Sequence, residues 1–197
     1  MILAAGESAR LGRCKALVPL TPRTPLELLC AAGACFTDSL GAPPLVITGA
    51  DHDEIAAAAP PGTEVLRNPD WRSGRSGGVL LAWSARPGRD LCIAPVDVPL
   101  VQSRGFEALL AAWIAAGSPA RGWLAPSYRP PGAPHPRFGH PVVIGRELEP
   151  DLEAAGPTRP LHGLRTRANP VFSVAVDSPE ILDDLDSPED FRRLRGH

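Results

Sequence analysis

The sequence has a single lysine. Of its 20 basic residues, Lys15 alone is not arginine. A chain that uses arginine for generic positive charge marks its one compact ammonium as a candidate for a site that needs a point charge. Positive charge is not in excess either. The 22 acidic residues leave a net charge of −2, which gives no general attraction to nucleic acid or to an anionic membrane. Any phosphate ligand must therefore be held by a local site. No apolar run reaches the roughly 20 residues that cross a bilayer. Met1 to Gly6 lacks the basic start and long apolar stretch of a secretory signal. The four cysteines, Cys14, Cys30, Cys35 and Cys92, form no CxxC pair. Too few for a disulfide framework in a chain this size, they point to a reducing cytoplasm. Cys30 and Cys35 read as small apolar residues of one helix.

What remains is ordinary globular material, 44% hydrophobic and 21% charged. Its 197 residues suit one domain, 1–197, with a sizeable core and without linker or repeat. Short apolar segments read as strands at Ile2–Ala4, Leu45–Gly49, Thr63–Leu66, Leu91–Val96, Trp123–Ala125, Pro141–Ile144 and Val171–Val176. Helical spacing falls between them, at Pro25–Leu40, Asp51–Ala59, Val79–Ala85, Phe106–Ala116 and Arg146–Ala155. A last helix, Pro188–Leu194, is capped by Ser187 with proline just inside its start. Tyr128–Pro136 reads as a proline-rich exposed loop. Strands apolar on both sides, alternating with helices, predict an α/β fold: a mainly parallel sheet between two helical layers. Ligands of such sheets sit beyond the carboxyl ends of the strands. Two predicted strand ends carry chemistry there, Gly6 and Asp97.

The first of these belongs to the run Leu3-Ala4-Ala5-Gly6-Glu7-Ser8-Ala9-Arg10-Leu11-Gly12-Arg13-Cys14-Lys15. Small residues let the backbone approach a ligand, and consecutive N–H groups can cradle phosphate oxygens. Arg10 can grip two oxygens, and Lys15 adds a point charge. The run is neither GxxxxGK[ST] nor GxGxxG. On the residues alone it is either a phosphate cradle or a glycine turn with solvated charges. Asp97 is likewise either a Mg²⁺ ligand or a helix cap, and Asp184 and Asp186 either a second carboxylate source or a polar turn. His140, between glycine and proline, either packs in a turn or touches a ligand. Trp71 reads as a packing residue. His52, His135, His162 and His197 show no metal-ligand spacing.

The run fits LAAGxSxRxGxxK at every fixed position, and so resembles the signature loop of the nucleotidyltransferase superfamily. The MobA/MocA-like molybdenum-cofactor group is the part of it that the chain resembles. Further segments match in order along nearly the whole chain. Asn68-Pro69-Asp70-Trp71 with the Gly74–Gly78 loop resembles the base-proximal segment. Pro95–Val101 resembles the metal-binding strand end, Gly139-His140-Pro141 the acceptor motif, and Asp184–Asp190 the C-terminal acidic motif.

The resemblance implies a three-layer α/β/α Rossmann-like nucleotidyltransferase fold with a mainly parallel, mixed central sheet. It implies Lys15, Arg10 and Asp97 as catalytic residues. Leu3, Ala4, Ala5, Gly6, Ser8, Gly12, Ser76 and Gly77 would bind nucleotide, with Ser76 reading the base. His140 would contact the acceptor. Mg²⁺ would sit on Asp97 together with Asp184 or Asp186. Leu-Ala-Ala-Gly resembles the cytidylyltransferase branch, so Ala5 favours CTP over GTP. The implied reaction moves a nucleotidyl group to a small phosphorylated acceptor such as molybdopterin, with loss of pyrophosphate. A sugar or polyol phosphate is the alternative acceptor, and a nucleotide-binding accessory in molybdoenzyme maturation the alternative role. The implied partners are an NTP, the acceptor and, transiently, a cofactor-receiving enzyme, with no nucleic acid or membrane.

Overall fold

The computed structural model describes residues 1–195. Eight strands form one mixed sheet. They are β1 (Ile2–Ala4), β2 (Leu45–Thr48), β3 (Glu64–Arg67), β4 (Leu91–Pro95), β5 (Trp123–Tyr128), β6 (Arg137–Phe138), β7 (Val142–Ile144) and β8 (Val171–Ala175). The order is β3-β2-β1-β4-β7-β5; β6 pairs with β5 further along the edge that β7 uses, and β8 pairs along the other edge of β5. The pairs β1–β2, β1–β4, β2–β3 and β5–β8 are parallel. β7 runs antiparallel between β4 and β5, and β6 is antiparallel to β5. The helices are α1 (Pro25–Ala32), α2 (Ala34–Leu40), α3 (His52–Ala58), α4 (Arg75–Ala85), α5 (Ser103–Ala115), α6 (Glu149–Ala155) and α7 (Pro188–Leu194).

Strand side chains alternate between two cores, as the period of two requires. Ile2, Ala4, Val46, Cys92, Ala94 and Val143 pack with Leu26 and Leu29 of α1 and Phe106, Leu109 and Trp113 of α5. Leu3, Leu45, Ile47, Leu91, Ile93 and Ile144 pack with Val79, Ala82 and Trp83 of α4 and Leu152 of α6. This is the three-layer arrangement that strands apolar on both faces demand. A Cβ on Gly78 would lie 2.8 Å from Leu3 and 3.2 Å from Ile47. Glycine there lets α4 settle onto the sheet.

Several element boundaries differ from expectation, three of them instructively. The predicted helix over 25–40 breaks at Gly33, whose N–H bonds back to the Leu29 carbonyl at 3.0 Å. A Cβ at Gly33 would meet that carbonyl at 3.2 Å and the Phe106 ring at 3.5 Å. α4 begins at Arg75, ahead of Val79, because its first turn is built from the glycine-rich loop itself. β5 extends to Tyr128, where β6 and β8 flank it. Among the described residues, no helix is long and apolar enough to cross a membrane.

Candidate active site

Beyond β1 the chain turns tightly. Ser8 and Gly12 take left-handed φ values of 53° and 73°. The N–H groups of Leu11 and Gly12 both donate to the Ser8 carbonyl at 3.0 Å. The Ser8 hydroxyl accepts from the Lys15 N–H at 3.1 Å. The loop thus closes on itself and delivers Lys15 at the start of a short 3₁₀ turn, Lys15–Leu17. It is held from below by a separate small core, where Leu11, Val18 and Leu20 meet Leu185, Phe191 and Leu194. The carboxyl-terminal helix therefore packs under the amino-terminal loop.

That contact places the acidic residues. Leu185 is fully buried, and its N–H donates to the Asp97 carbonyl at 2.7 Å. Alternate residues of an extended segment share a face, so Asp184 and Asp186 both lie opposite Leu185, and the charges nearest each one set it apart. Asp186 pairs with Lys15 and, at 2.7 Å, with Arg10. Desolvation acts to raise the Asp186 carboxyl, but the hydrogen bonds and charges of Lys15 and Arg10 outweigh it and hold it below its ordinary value. Asp184 behaves oppositely. Desolvation, then the charge of Asp97, push it above its ordinary value, with Asp186 adding to the effect. Asp97 itself, two residues past β4, pairs with Arg75 at 2.9 Å.

Between these groups lies a cleft of about 500 Å³ at the carboxyl ends of β1 and β4. Leu3, Ala4, Ala5, Gly6, Ser8, Lys15 and Asp97 line it. Three residues expected against the nucleotide stand elsewhere. Gly12 serves the loop turn and is not on the cleft wall. Ser76 is fully buried, and its hydroxyl donates to the Arg159 carbonyl at 2.6 Å, so it is not free to read a base. Gly77 faces Asn68 and Pro157. Of the two aspartates expected as alternatives beside Asp97, Asp186 is paired with Lys15 and Arg10, and Asp184 is the one that feels the charge of Asp97. Among the described residues no group of three or more potential metal ligands gathers. His140 lies off the cleft wall. Burial, offset by Asp97 and reinforced by Arg75, lowers its pKa, and its buried Nδ1 finds no partner.

The cleft also contains residues to which no individual ligand role was assigned from the sequence. Asn68 is buried, accepts from the Asp70 N–H at 3.1 Å, and leaves its Nδ2 donor without a partner on the cleft wall. Its Asn-Pro-Asp context was legible as a turn, and its buried donor, unpaired among the described residues, was not. Trp71, read as packing, lines the cleft, and the Arg72 guanidinium lies 4.3 Å over its ring. Arg75 lines the cleft as well. Cys14 lines it too, but burial and Asp51 push its thiol up to about 12, which rules it out as a thiolate nucleophile at neutral pH.

The donor set fits a divalent cation. Asp97 lies close enough to Asp184 for its charge to push that carboxyl up, and Mg²⁺ is usually bound by one or two carboxylates plus substrate phosphates. A glycine turn after β1, one sheet position from a carboxylate after β4, is the layout of a nucleotidyltransferase fold. The family model for the MobA-like NTP transferase domain matches residues 1–171, and the chain belongs to that family. Known structures agree with the fold. Rv0371c from Mycobacterium tuberculosis, solved as a complex with manganese, is 22% identical with a TM-score of 0.69, over 99% of this chain and 96% of that one. Molybdopterin-guanine dinucleotide biosynthesis protein A from Archaeoglobus fulgidus is 18% identical with a TM-score of 0.71, over 99% and 95%. The 2-C-methyl-D-erythritol 4-phosphate cytidylyltransferase from Thermus thermophilus is 18% identical with a TM-score of 0.69, over 99% and 96%. No curated protein matches the sequence.

Proposed function

We propose that residues 1–197 act as one Mg²⁺-dependent nucleotidyltransferase. It moves the NMP group of an NTP, CTP in preference to GTP, onto a small phosphorylated acceptor such as molybdopterin. The observation that carries this reading is that Lys15 and Asp97, 82 positions apart in the sequence, line one cleft. A polyphosphate in that cleft has cations on one wall and metal-binding carboxylates on the other.

The backbone of Ala5 to Ser8 receives the nucleotide, and Ala5 supports CTP. Asp97 and Asp184 would hold Mg²⁺, which when bound offsets charge on the phosphoryl oxygens. Lys15 and Arg10 exchange Asp186 for the triphosphate and stabilise the charge that builds on it. An oxygen of the acceptor phosphate attacks the α-phosphorus. The new P–O bond forms as the α–β bridge breaks, and its electrons leave with pyrophosphate. A phosphate monoester is already anionic, so no general base is needed and in-line positioning does most of the work. His140 would contact the acceptor, and burial, which lowers its pKa, favours the neutral ring for that role. The reading places the reaction in the cytoplasm, with transient delivery to a cofactor-receiving enzyme.

Pyrophosphate release tests it. CTP and GTP are offered with Mg²⁺ and with molybdopterin, then with polyol phosphates. Release that depends on one acceptor supports transfer and identifies the acceptor class. Nucleotide binding without release from any acceptor turns the reading toward an accessory role.

A further inference from the structure

The cleft is internally neutralised in two places, and the two ion pairs are not alike. Lys15 and Asp186 are both largely sheltered, with side-chain exposures of 13% and 30%. The Arg75–Asp97 pair is lopsided, at 61% and 15%. Asp97 is fixed at the strand end, and its carbonyl is tied to Leu185. Arg75 reaches it from solvent, on a long side chain whose 2.9 Å contact with Asp97 is its one side-chain hydrogen bond among the described residues. With its cation in solvent, the pair can open without burying an unpaired guanidinium.

Arg75 also stands where a metal's charge would act. Its guanidinium lowers the pKa of Asp184 as well as that of His140. It is the first residue of α4, which has no side-chain cap, and Gly74 and Arg75 both line the cleft. The uncapped N–H groups of that turn add positive potential beside the guanidinium.

We propose that Arg75 is a phosphate-binding residue held in reserve by Asp97. A divalent cation on Asp97 displaces the guanidinium by like-charge repulsion. The released fork then grips a phosphate of the metal–nucleotide complex, which arrives where it had been lying. Arg75 thus competes with the free metal and cooperates with the metal-bound phosphate. The inference rests on the reading of Asp97 as a metal carboxylate.

Opposite signs make it testable on the full chain. Binding of Mn²⁺ alone, and of inorganic pyrophosphate at saturating Mn²⁺, is measured by calorimetry for the wild type, Arg75→Gln and Asp97→Asn. Arg75→Gln is expected to bind Mn²⁺ roughly two- to fivefold more tightly, since its competitor is gone. The same variant is expected to bind manganese pyrophosphate about tenfold more weakly. A merely structural role would not move the two affinities in opposite directions. Arg75→Lys, a point charge without the fork, is expected to restore competition with Mn²⁺ but not full pyrophosphate affinity. Unchanged or weaker Mn²⁺ binding in Arg75→Gln, or unchanged pyrophosphate affinity, overturns the proposal while leaving the metal site standing, provided that Asp97→Asn loses Mn²⁺. Mn²⁺ binding that survives Asp97→Asn overturns both readings.

Discussion

The two walls of the cleft are built in opposite ways. The basic wall is local: Ala5 to Lys15 is one continuous turn, closed by bonds among Ser8, Leu11, Gly12 and Lys15. The acidic wall is assembled from distant pieces. Asp97 ends a central strand segment, Asp184 and Asp186 arrive from the carboxyl terminus, and Arg75 comes from the start of α4. The first wall would keep its shape as long as its turn holds. The second depends on long-range contacts, chiefly Leu185 against the end of β4 and α7 under the loop. Each wall also lends charge to the other, since Asp186 neutralises Lys15 and Arg10.

The largest break in this comparison comes from Asp97. Asp97→Asn removes the charge that faces both the metal and Arg75. Turnover is expected to fall on the order of 10²–10³-fold, as when a preorganised electrostatic stabiliser is lost. Pyrophosphate release at saturating Mg²⁺ measures it, and near-normal turnover would remove Asp97 from the chemistry. Lys15→Ala attacks the local wall, with a loss expected on the same order or somewhat smaller. It also strips Asp186 of its sheltered partner, which costs about 1–3 kcal/mol. Retained turnover in Lys15→Ala would end the role given to the one ammonium.

This asymmetry explains what was legible in the sequence. The turn from Leu3 to Lys15 could be read residue by residue, because its function is encoded in consecutive positions. The alternation of strands and helices was legible for the same reason, as a local period. Asp97 was visible only as a carboxylate following an apolar strand. Its pairing with Arg75 was not, since nothing in the spacing of positions 75 and 97 brings them together. Asp184 and Asp186 read as equivalent ligands. Their division of labour follows from the charges that the fold brings to each, Lys15 and Arg10 to Asp186 and Asp97 to Asp184, a tertiary fact. Ser76 was misjudged for a related reason. Its hydroxyl is claimed by the carbonyl of Arg159, 83 residues away.

Leu185→Ala sharpens the point, because it removes no charged group. Truncating this fully buried leucine is expected to cost about 2–5 kcal/mol. If Leu185 sets the acidic wall, Mn²⁺ affinity falls with stability, although Asp97 and Asp184 are both still present. Denaturant titration and Mn²⁺ calorimetry on the same sample separate the two effects. Unaltered Mn²⁺ affinity in a folded Leu185→Ala protein would show that the aspartates are positioned by something else.

The smallest effect is expected at the far support of the acidic wall, the capping box of α7. The Asp190 carboxylate accepts from the Ser187 N–H at 2.9 Å, the Ser187 hydroxyl at 2.7 Å and the Asp186 N–H at 3.2 Å. The Ser187 hydroxyl in turn accepts from the Asp190 N–H at 3.2 Å. Ser187→Ala is expected to cost about 1 kcal/mol. The Ser187 hydroxyl bond is the main cause holding the Asp190 carboxyl below its ordinary value. A depressed carboxylate contributes stability in full above the ordinary aspartate range, and loses it as pH falls through the lowered folded value. The difference in stability between wild type and Asp190→Asn should therefore be widest near neutrality and shrink on acidification. Urea titrations at stepped pH measure it. A gap that widens toward acid would mean that the carboxylate is not what anchors α7, and that the acidic wall gains its position from the Leu185 contact alone.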